Sequence, residues 1–465
     1  QGKFRDSSAV GQIRTALRTQ EVKLEGLGQT IQELFPEYAE LTSREPISLK
    51  AIQKLLDRNE LLLTMEQGYA DRLTHVFVVR SDRSTTYTVD LGVSEIEEMV
   101  SKLRAGLDPA TGRSQDFDVG LAHALYQTLL APAEPMLSGV RHLFVVPDGS
   151  LGSLPFHLLV TEDPAGTSPL SLKSTGQRGF RIESNTDQGT SSTTLDTPDI
   201  AWLAKKYAIT TLPSVTSLRA LRVFAKKAQA TEPFIGFGDP VLRGESDSGR
   251  GLHMASFFRG AVADVQEVQQ LPSLPETEVE LKAMAEYLGA AEDAIYLRGR
   301  ATETRVKSLD LSEYQVVAFS THGLLSGELK GLAEPALVLT PPDKGTKHDD
   351  GLLTASEVAQ LKLDADWVIL SACNTAAGDK PGAAGLSGLA RAFFYAGART
   401  LLVSHWPVQS DAATALTTDM FQKLKQNPVI GRAEALRQSM MSMAANPKTA
   451  HPFFWAPFVL VGEGN

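Results

Sequence analysis

The sequence predicts an α/β fold built on a mostly parallel sheet flanked by helices. Three observations predict it. Short runs rich in β-branched and aromatic residues recur, as in HVFVVR (75–80), HLFVVPD (142–148), YQVVAFS (314–320) and DWVILSAC (366–373). Segments with helical spacing separate them, among them Val93 to Leu107, Gly120 to Leu130 and Glu276 to Leu288. Strands joined by helical crossovers pair in parallel and are covered on both faces.

Taken in order, residues 1–45 read as helical, with Ile13, Leu17, Val22, Leu24, Leu27, Ile31 and Leu34 at roughly helical spacing. Ser48 to Leu56 has the same character. HVFVVR and TTYTVDL (85–91) follow as strands, then two helices, then HLFVVPD with its Pro-Asp-Gly turn. Residues 162–198 break the pattern. The run SNTDQGTSSTTLDTPD (184–199) offers almost nothing to bury and reads as a mobile insertion. Alternation then resumes. FIGFG (234–238), AIYL (294–297), PALVLT (335–340), TLLVSHW (400–406) and FWAPFVLV (454–461) are the further strands. Thr302 to Leu309, Leu386 to Ala396, Ala412 to Leu424 and Arg432 to Met443 are the further helices.

The 465 residues exceed what one hydrophobic core takes in, so two or three domains are expected. No apolar run reaches the ~18 residues that span a bilayer. The stretch Gln1 to Val10 carries no apolar signal core, and the absence of a first Met suggests a piece of a longer chain. The net charge of −10, without a basic block, argues against direct nucleic-acid or anionic-membrane binding. One cysteine in the whole chain rules out an internal disulfide and any site built on several thiolates. A chain without disulfides fits a cytoplasmic home. Asp349 and Asp350 are two adjacent acids and not a metal-ligand set. The run PGAAGLSGLA (381–390) lacks the ending of a phosphate-binding loop. No metal and no cofactor are expected.

Two strand ends carry chemistry. YQVVAFS runs into Thr321-His322-Gly323, and DWVILSAC ends on Cys373. Sites in open α/β sheets gather beyond the carboxyl ends of strands. If the two strands are neighbours, imidazole and thiol face one cleft. The thiolate is the reactive form of cysteine, and an adjacent imidazole can hold it and later protonate a leaving amine. The backbone N–H groups of Gly323 and Cys373 are candidate oxyanion donors. The plain alternative is a small buried thiol beside a satisfied histidine.

His322 precedes Cys373 by 51 residues, and caspase-type peptidases place their histidine about 50 residues before the cysteine. STHG (320–323) and SACNT (371–375) resemble that clan's elements, although Ser371 and Asn374-Thr375 depart from the caspase pattern itself. The longer series resembles the CHAT family, caspase-like domains often attached to tetratricopeptide repeats. It runs through LFPEYAEL (34–41), LFVVPDGSLGSLPFHLL (143–159), LPSVTSLR (212–219), ATETRV (301–306), EPALVLT (334–340) and DDGLLTASEV (349–358). It continues through WVILSACNTAAG (367–378), GLSGLARAFFYAGA (385–398), LLVSHWPV (401–408) and HPFFWAPFVLVG (451–462).

The resemblance implies two caspase-like lobes, as in separases, with only the second catalytic. Residues 46–198 would be the silent first lobe, 199–465 the catalytic lobe, and 1–45 the junction with helical repeats. His142 and His157 then have structural roles. It also implies cleavage of specific protein substrates at a Cys373–His322 dyad, and an activating partner or N-terminal repeats.

VSHWPV (403–408) resembles the caspase strand that pairs with substrate backbone, so an extended peptide would bind by strand addition. Ser404 would line that groove and Trp406 would wall a pocket; a plain core strand with a buried tryptophan fits equally well. Asp411, in WPVQSD (406–411), matches a separase arrangement that recognises a basic residue before the scissile bond. A first-turn helix acid is the competing explanation. Asp239, after FIGFG, is a second acid of that kind. The rival functions are a catalytically silent caspase-like signalling scaffold and a cysteine hydrolase of small molecules.

Overall fold

The structure, a computed structural model, describes residues 47–68, 73–107, 115–164, 170–174, 180–183, 199–224, 229–244, 263, 265–326, 332–372, 388–406 and 408–464. The helical segment expected at 1–45, residues 184–198, Cys373, the Gly-rich run up to Ser387 and Pro407 lie outside the described residues.

The first strands are β1 (Glu60–Gln67), β2 (Thr74–Val79), β3 (Ser84–Val89), β4 (Gln115–Phe117), β5 (His142–Val146), β6 (Leu170–Ser174), β7 (Phe180–Glu183) and β8 (Ala208–Thr211). They are followed by β9 (Ile235–Gly238), β10 (Ile295–Leu297), β11 (Val316–Ser320), β12 (Gly323–Leu324), β13 (Ala336–Val338), β14 (Leu352–Thr354), β15 (Trp367–Ser371), β16 (Thr400–Ser404) and β17 (Phe458–Gly462). The longer helices are α1 (Val93–Ala105), α2 (Val119–Leu129), α3 (Glu276–Leu288), α4 (Gly388–Ala396), α5 (Ser410–Gln426) and α6 (Arg432–Ala444).

One sheet of eleven strands runs through the molecule in the order β10-β9-β11-β15-β16-β17-β8-β5-β1-β2-β3. Every pairing from β10 to β16 is parallel. β17 is antiparallel to β16 but parallel to β8. β8, β5 and β1 continue in parallel, and β1, β2 and β3 form an antiparallel meander. The sheet is therefore mostly parallel and flanked by helices, as the alternation predicts. Its strands pass without a break from the first part of the chain to the second. β4, β6 and β7 form a small separate sheet. Two of its strands lie inside the stretch expected to be a mobile insertion. That expectation came from composition; LSLKS and FRIE carry a period-two alternation that composition averages away.

The central strands are buried from end to end, which is why they read as Val, Ile and Leu runs without polar alternation. On one face Val316, Ala318, Trp367, Ile369 and Leu402 pack against Leu281 and Met284 of α3 and Leu416 and Met420 of α5. On the other, Val317, Phe319, Val368, Leu370 and Val403 pack against Leu389 and Phe393 of α4. Each such side chain contributes about 1.5–3 kcal/mol relative to exposure. α3 carries Glu276 and Glu278 in its first turn and stops at Gly289, whose φ of 74° suits glycine.

Polar ties lock the first part of the chain to the second. Arg222 forms paired hydrogen bonds with Glu60 at the start of β1 and with Glu463 after β17. His142 and His157 are both buried. His142 Nε2 lies 2.6 Å from Thr210 Oγ1, and His157 Nε2 lies 2.9 Å from the Ala456 carbonyl oxygen. No described helix is long and apolar enough to cross a membrane.

Candidate active site

β11 and β15 are parallel neighbours, in a register that sets Ser320 opposite Ser371. Both strands therefore end on one edge of the sheet. Beyond β11 come Thr321 and His322; beyond β15 comes Ala372, with Cys373 next in sequence and outside the described residues. Thr321 N–H donates to the Ser371 carbonyl over 3.2 Å, which extends the pairing by a residue. The Thr321 hydroxyl donates to the Val338 carbonyl, and Val338 N–H donates to the His322 carbonyl. The backbone before and at the histidine is thus fastened to β13. Gly323 opens β12 opposite Leu337.

His322 keeps part of its surface accessible, and its Nε2 sits 2.8 Å from the Pro272 carbonyl oxygen. A carbonyl can only accept, so this bond assigns the neutral ring its hydrogen at Nε2 and its lone pair at Nδ1. Burial of the ring drives its pKa below the ordinary imidazole range, while the Pro272 carbonyl pulls the other way. A neutral imidazole carries a lone pair that can accept a proton.

The neighbouring strand ends complete the edge. The buried Ser404 hydroxyl, at the end of β16, donates to the Ala372 carbonyl over 2.6 Å. It ties β16 to the residue that precedes Cys373. On the other side, Gly238 of β9 lies opposite Ser320. A Cβ there would stand 2.8 Å from the Ser320 oxygen and 2.7 Å from Leu281 Cδ1, so only glycine admits this approach. Asp239 follows with φ 44°, its N–H donating to Thr277 Oγ1. Its carboxylate accepts from Arg298 Nε at 2.9 Å.

The expected substrate residues are spread out. Trp406 does not present its ring as an open wall: it is about 1% exposed, and its indole N–H donates to the Phe453 carbonyl. Its large apolar surface is satisfied in the core, and its one polar atom is bonded there. Asp411 stands exposed in the first turn of α5, where a carboxylate is favoured by the helix dipole. Sequence reasoning did not single out Pro272, whose role is carried by a backbone carbonyl. It also missed Glu280, 1% exposed on α3, whose carboxyl accepts from the Thr417 hydroxyl of α5 at 3.0 Å. The available signal was an acid on the buried stripe of Thr277, Leu281 and Met284.

The sequence matches the CHAT domain over residues 119–463. The chain belongs to the CHAT-domain family. All strands from β5 to β17 fall within the CHAT match, as do both strand ends that lead to His322 and Cys373. Tetratricopeptide repeat protein 28 of Mus musculus is 30% identical over 228 residues, 41% of this chain and 9% of that protein. The chain thus spans less than a tenth of that relative's length. Among solved structures, the Saccharomyces cerevisiae separase–securin complex aligns with 88% of this CHAT chain and 30% of that chain, at 11% identity and a TM-score of 0.48. The Arg specific cysteine proteinase gingipain R aligns with 80% and 74%, at 11% identity and a TM-score of 0.37.

Proposed function

We propose that this CHAT domain is a cysteine endopeptidase with Cys373 as nucleophile and His322 as its acid–base partner. The observation that supports this best is the parallel, in-register pairing of β11 and β15, the two strands whose sequences continue into those residues. The lone pair at His322 Nδ1 takes the thiol proton, and the thiolate attacks the scissile carbonyl. The backbone N–H groups of Gly323 and Cys373 receive the oxyanion. The imidazolium then protonates the leaving amine, and water releases the acyl group from the thioester. Ser404 serves by fixing Ala372, and the peptide adds as an extended strand beyond β16.

Asp411 and Asp239 give the site a preference for a basic residue before the scissile bond. Asp239 already binds a guanidinium within the chain, that of Arg298. The substrate is a protein, and N-terminal repeats or a partner protein control access. The single cysteine suits a reducing compartment such as the cytoplasm.

A second reading, a catalytically silent signalling scaffold, is favoured by the burial of Ser404 and Trp406, which commits the expected substrate strand to the core. A proteome-wide cleavage profile of wild type against Cys373→Ala, made with the full-length chain and its partners, decides between them. Cleavages that vanish in the variant establish the peptidase. Identical profiles leave the scaffold.

A further inference from the structure

Three adjacent strands, β11, β15 and β16, all end in serine: Ser320, Ser371 and Ser404. Alternation along each strand aims these side chains at the face where Ala318, Ile369 and Leu402 meet α3 and α5. Apolar residues fill that face up to the last position, where hydroxyls replace them. Ser404 spends its hydroxyl on the Ala372 carbonyl. The other two face a carboxyl, that of Glu280. Among the described residues the Ser320 hydroxyl makes no full hydrogen bond, and it stands ready for a carboxylate to accept from it.

We propose that Glu280 is a positioning residue, whose buried carboxyl, held by Thr417, anchors the end of β15 through Ser371 and, when ionised, recruits Ser320 at the end of β11. Its catalytic meaning rests on the dyad reading above. Its geometry does not. A carboxylate accepts several hydrogen bonds at once, whereas a neutral acid must donate one of its own. Ionised Glu280 can accept from all three hydroxyls of β11, β15 and α5; neutral Glu280 must place its own proton, so at least one of these bonds reverses or is lost. Burial pushes this carboxyl up to about 7, and the Ser371, Ser320 and Thr417 hydroxyls oppose that rise. Among the described residues no charged side chain on β9, β10, β11, α5 or the 3-10 turn Glu292–Ala294, the elements packed against α3, enters its titration. The two strand ends would thus change their hold near neutral pH.

Alkylation by iodoacetamide tests this without any peptide substrate. The chain has one cysteine, so incorporation reports Cys373 alone. Glu280→Gln keeps the shape and stays neutral at every pH. The rate ratio of wild type to Glu280→Gln should be close to one at about pH 5.5 and should depart by roughly threefold or more at about pH 8. A ratio that stays flat across this range overturns the proposal. Thr417→Val removes a hydroxyl that favours the ionised form, so its profile should move to higher pH than wild type. If Glu280→Gln fails to fold, an unmoved Thr417→Val profile overturns the proposal instead. His322→Ala in the same series separates the two readings. An alkylation profile unaffected by His322→Ala removes the dyad, while the Glu280 ratio still reports on the strand ends.

Discussion

The Nε2 atom of His322 lies 2.8 Å from the carbonyl oxygen of Pro272, and this bond orients the ring. Nitrogen-15 spectra of histidine-labelled protein near neutral pH should show a protonated Nε2 and a bare Nδ1. The ring should titrate below 6.5, because its burial disfavours the cation. A proton on Nδ1 instead would leave no base facing away from Pro272, and the proposed dyad would lose its proton acceptor.

Ser404→Ala removes the hydroxyl that fastens β16 to Ala372. The expected cost is about 1 kcal/mol, read as a lower denaturation midpoint in urea. Alkylation of Cys373 should change as well, because Ala372 is its neighbour in the chain. A stability loss with unaltered alkylation would confine Ser404 to the fold.

Arg222 joins β1 to the end of β17 through two carboxylates, and the Glu60 side chain is only 2% exposed. Arg222→Met would take the guanidinium away from the buried Glu60 carboxylate, at a cost of about 3 kcal/mol. Glu60→Gln in the same chain should return part of that loss. Burial by itself would raise the Glu60 carboxyl, but the Arg222 bonds outweigh it and hold it below the usual range. The stabilisation is therefore present above about 4.5 and fades as pH falls further. Melting curves of the two variants between about pH 7 and 3 would expose an effect of the wrong sign.

His157 is buried as the neutral ring, its pKa pushed down to about 4 by burial. The unfolded chain takes up a proton below about 6.5 and the folded one does not, so stability falls as pH drops from 6.5 towards 4. The loss from this residue is at most about 3 kcal/mol. His157→Gln should flatten that slope, measured by urea midpoints across the range. An unchanged slope would assign the acid sensitivity to His142 and other groups.

The neighbouring strand ends at the candidate site were legible because each strand is a pure apolar run broken at its end by chemistry: AFS before Thr321-His322, ILS before Ala372. β1 was not legible. ELLLTMEQ is made of residues that favour helices, and burial on both faces erases the alternation that marks a strand. Its identity comes from its place between β5 and β2, a tertiary fact. β8, AITT, is too short to show a period. At the site, His322 and Cys373 stand out in the sequence because their side chains carry reactive chemistry. What escaped was a backbone carbonyl, at Pro272, and a polar group set by long-range packing, at Glu280. Trp406 reads equally as a pocket wall and as a buried core residue; the Phe453 carbonyl 47 residues later gives its N–H a partner in the interior.

The reversal of direction between β16 and β17 has a spatial consequence. Strands β9, β10, β11, β15 and β16 point their carboxyl ends one way, and β1, β5, β8 and β17 point theirs the other. The parallel runs therefore present their strand tips on two opposite rims. A molecule at the rim beyond β5 would leave the rim at His322 clear. The two visitors would never meet, yet both would pull on the same unbroken ladder of backbone hydrogen bonds.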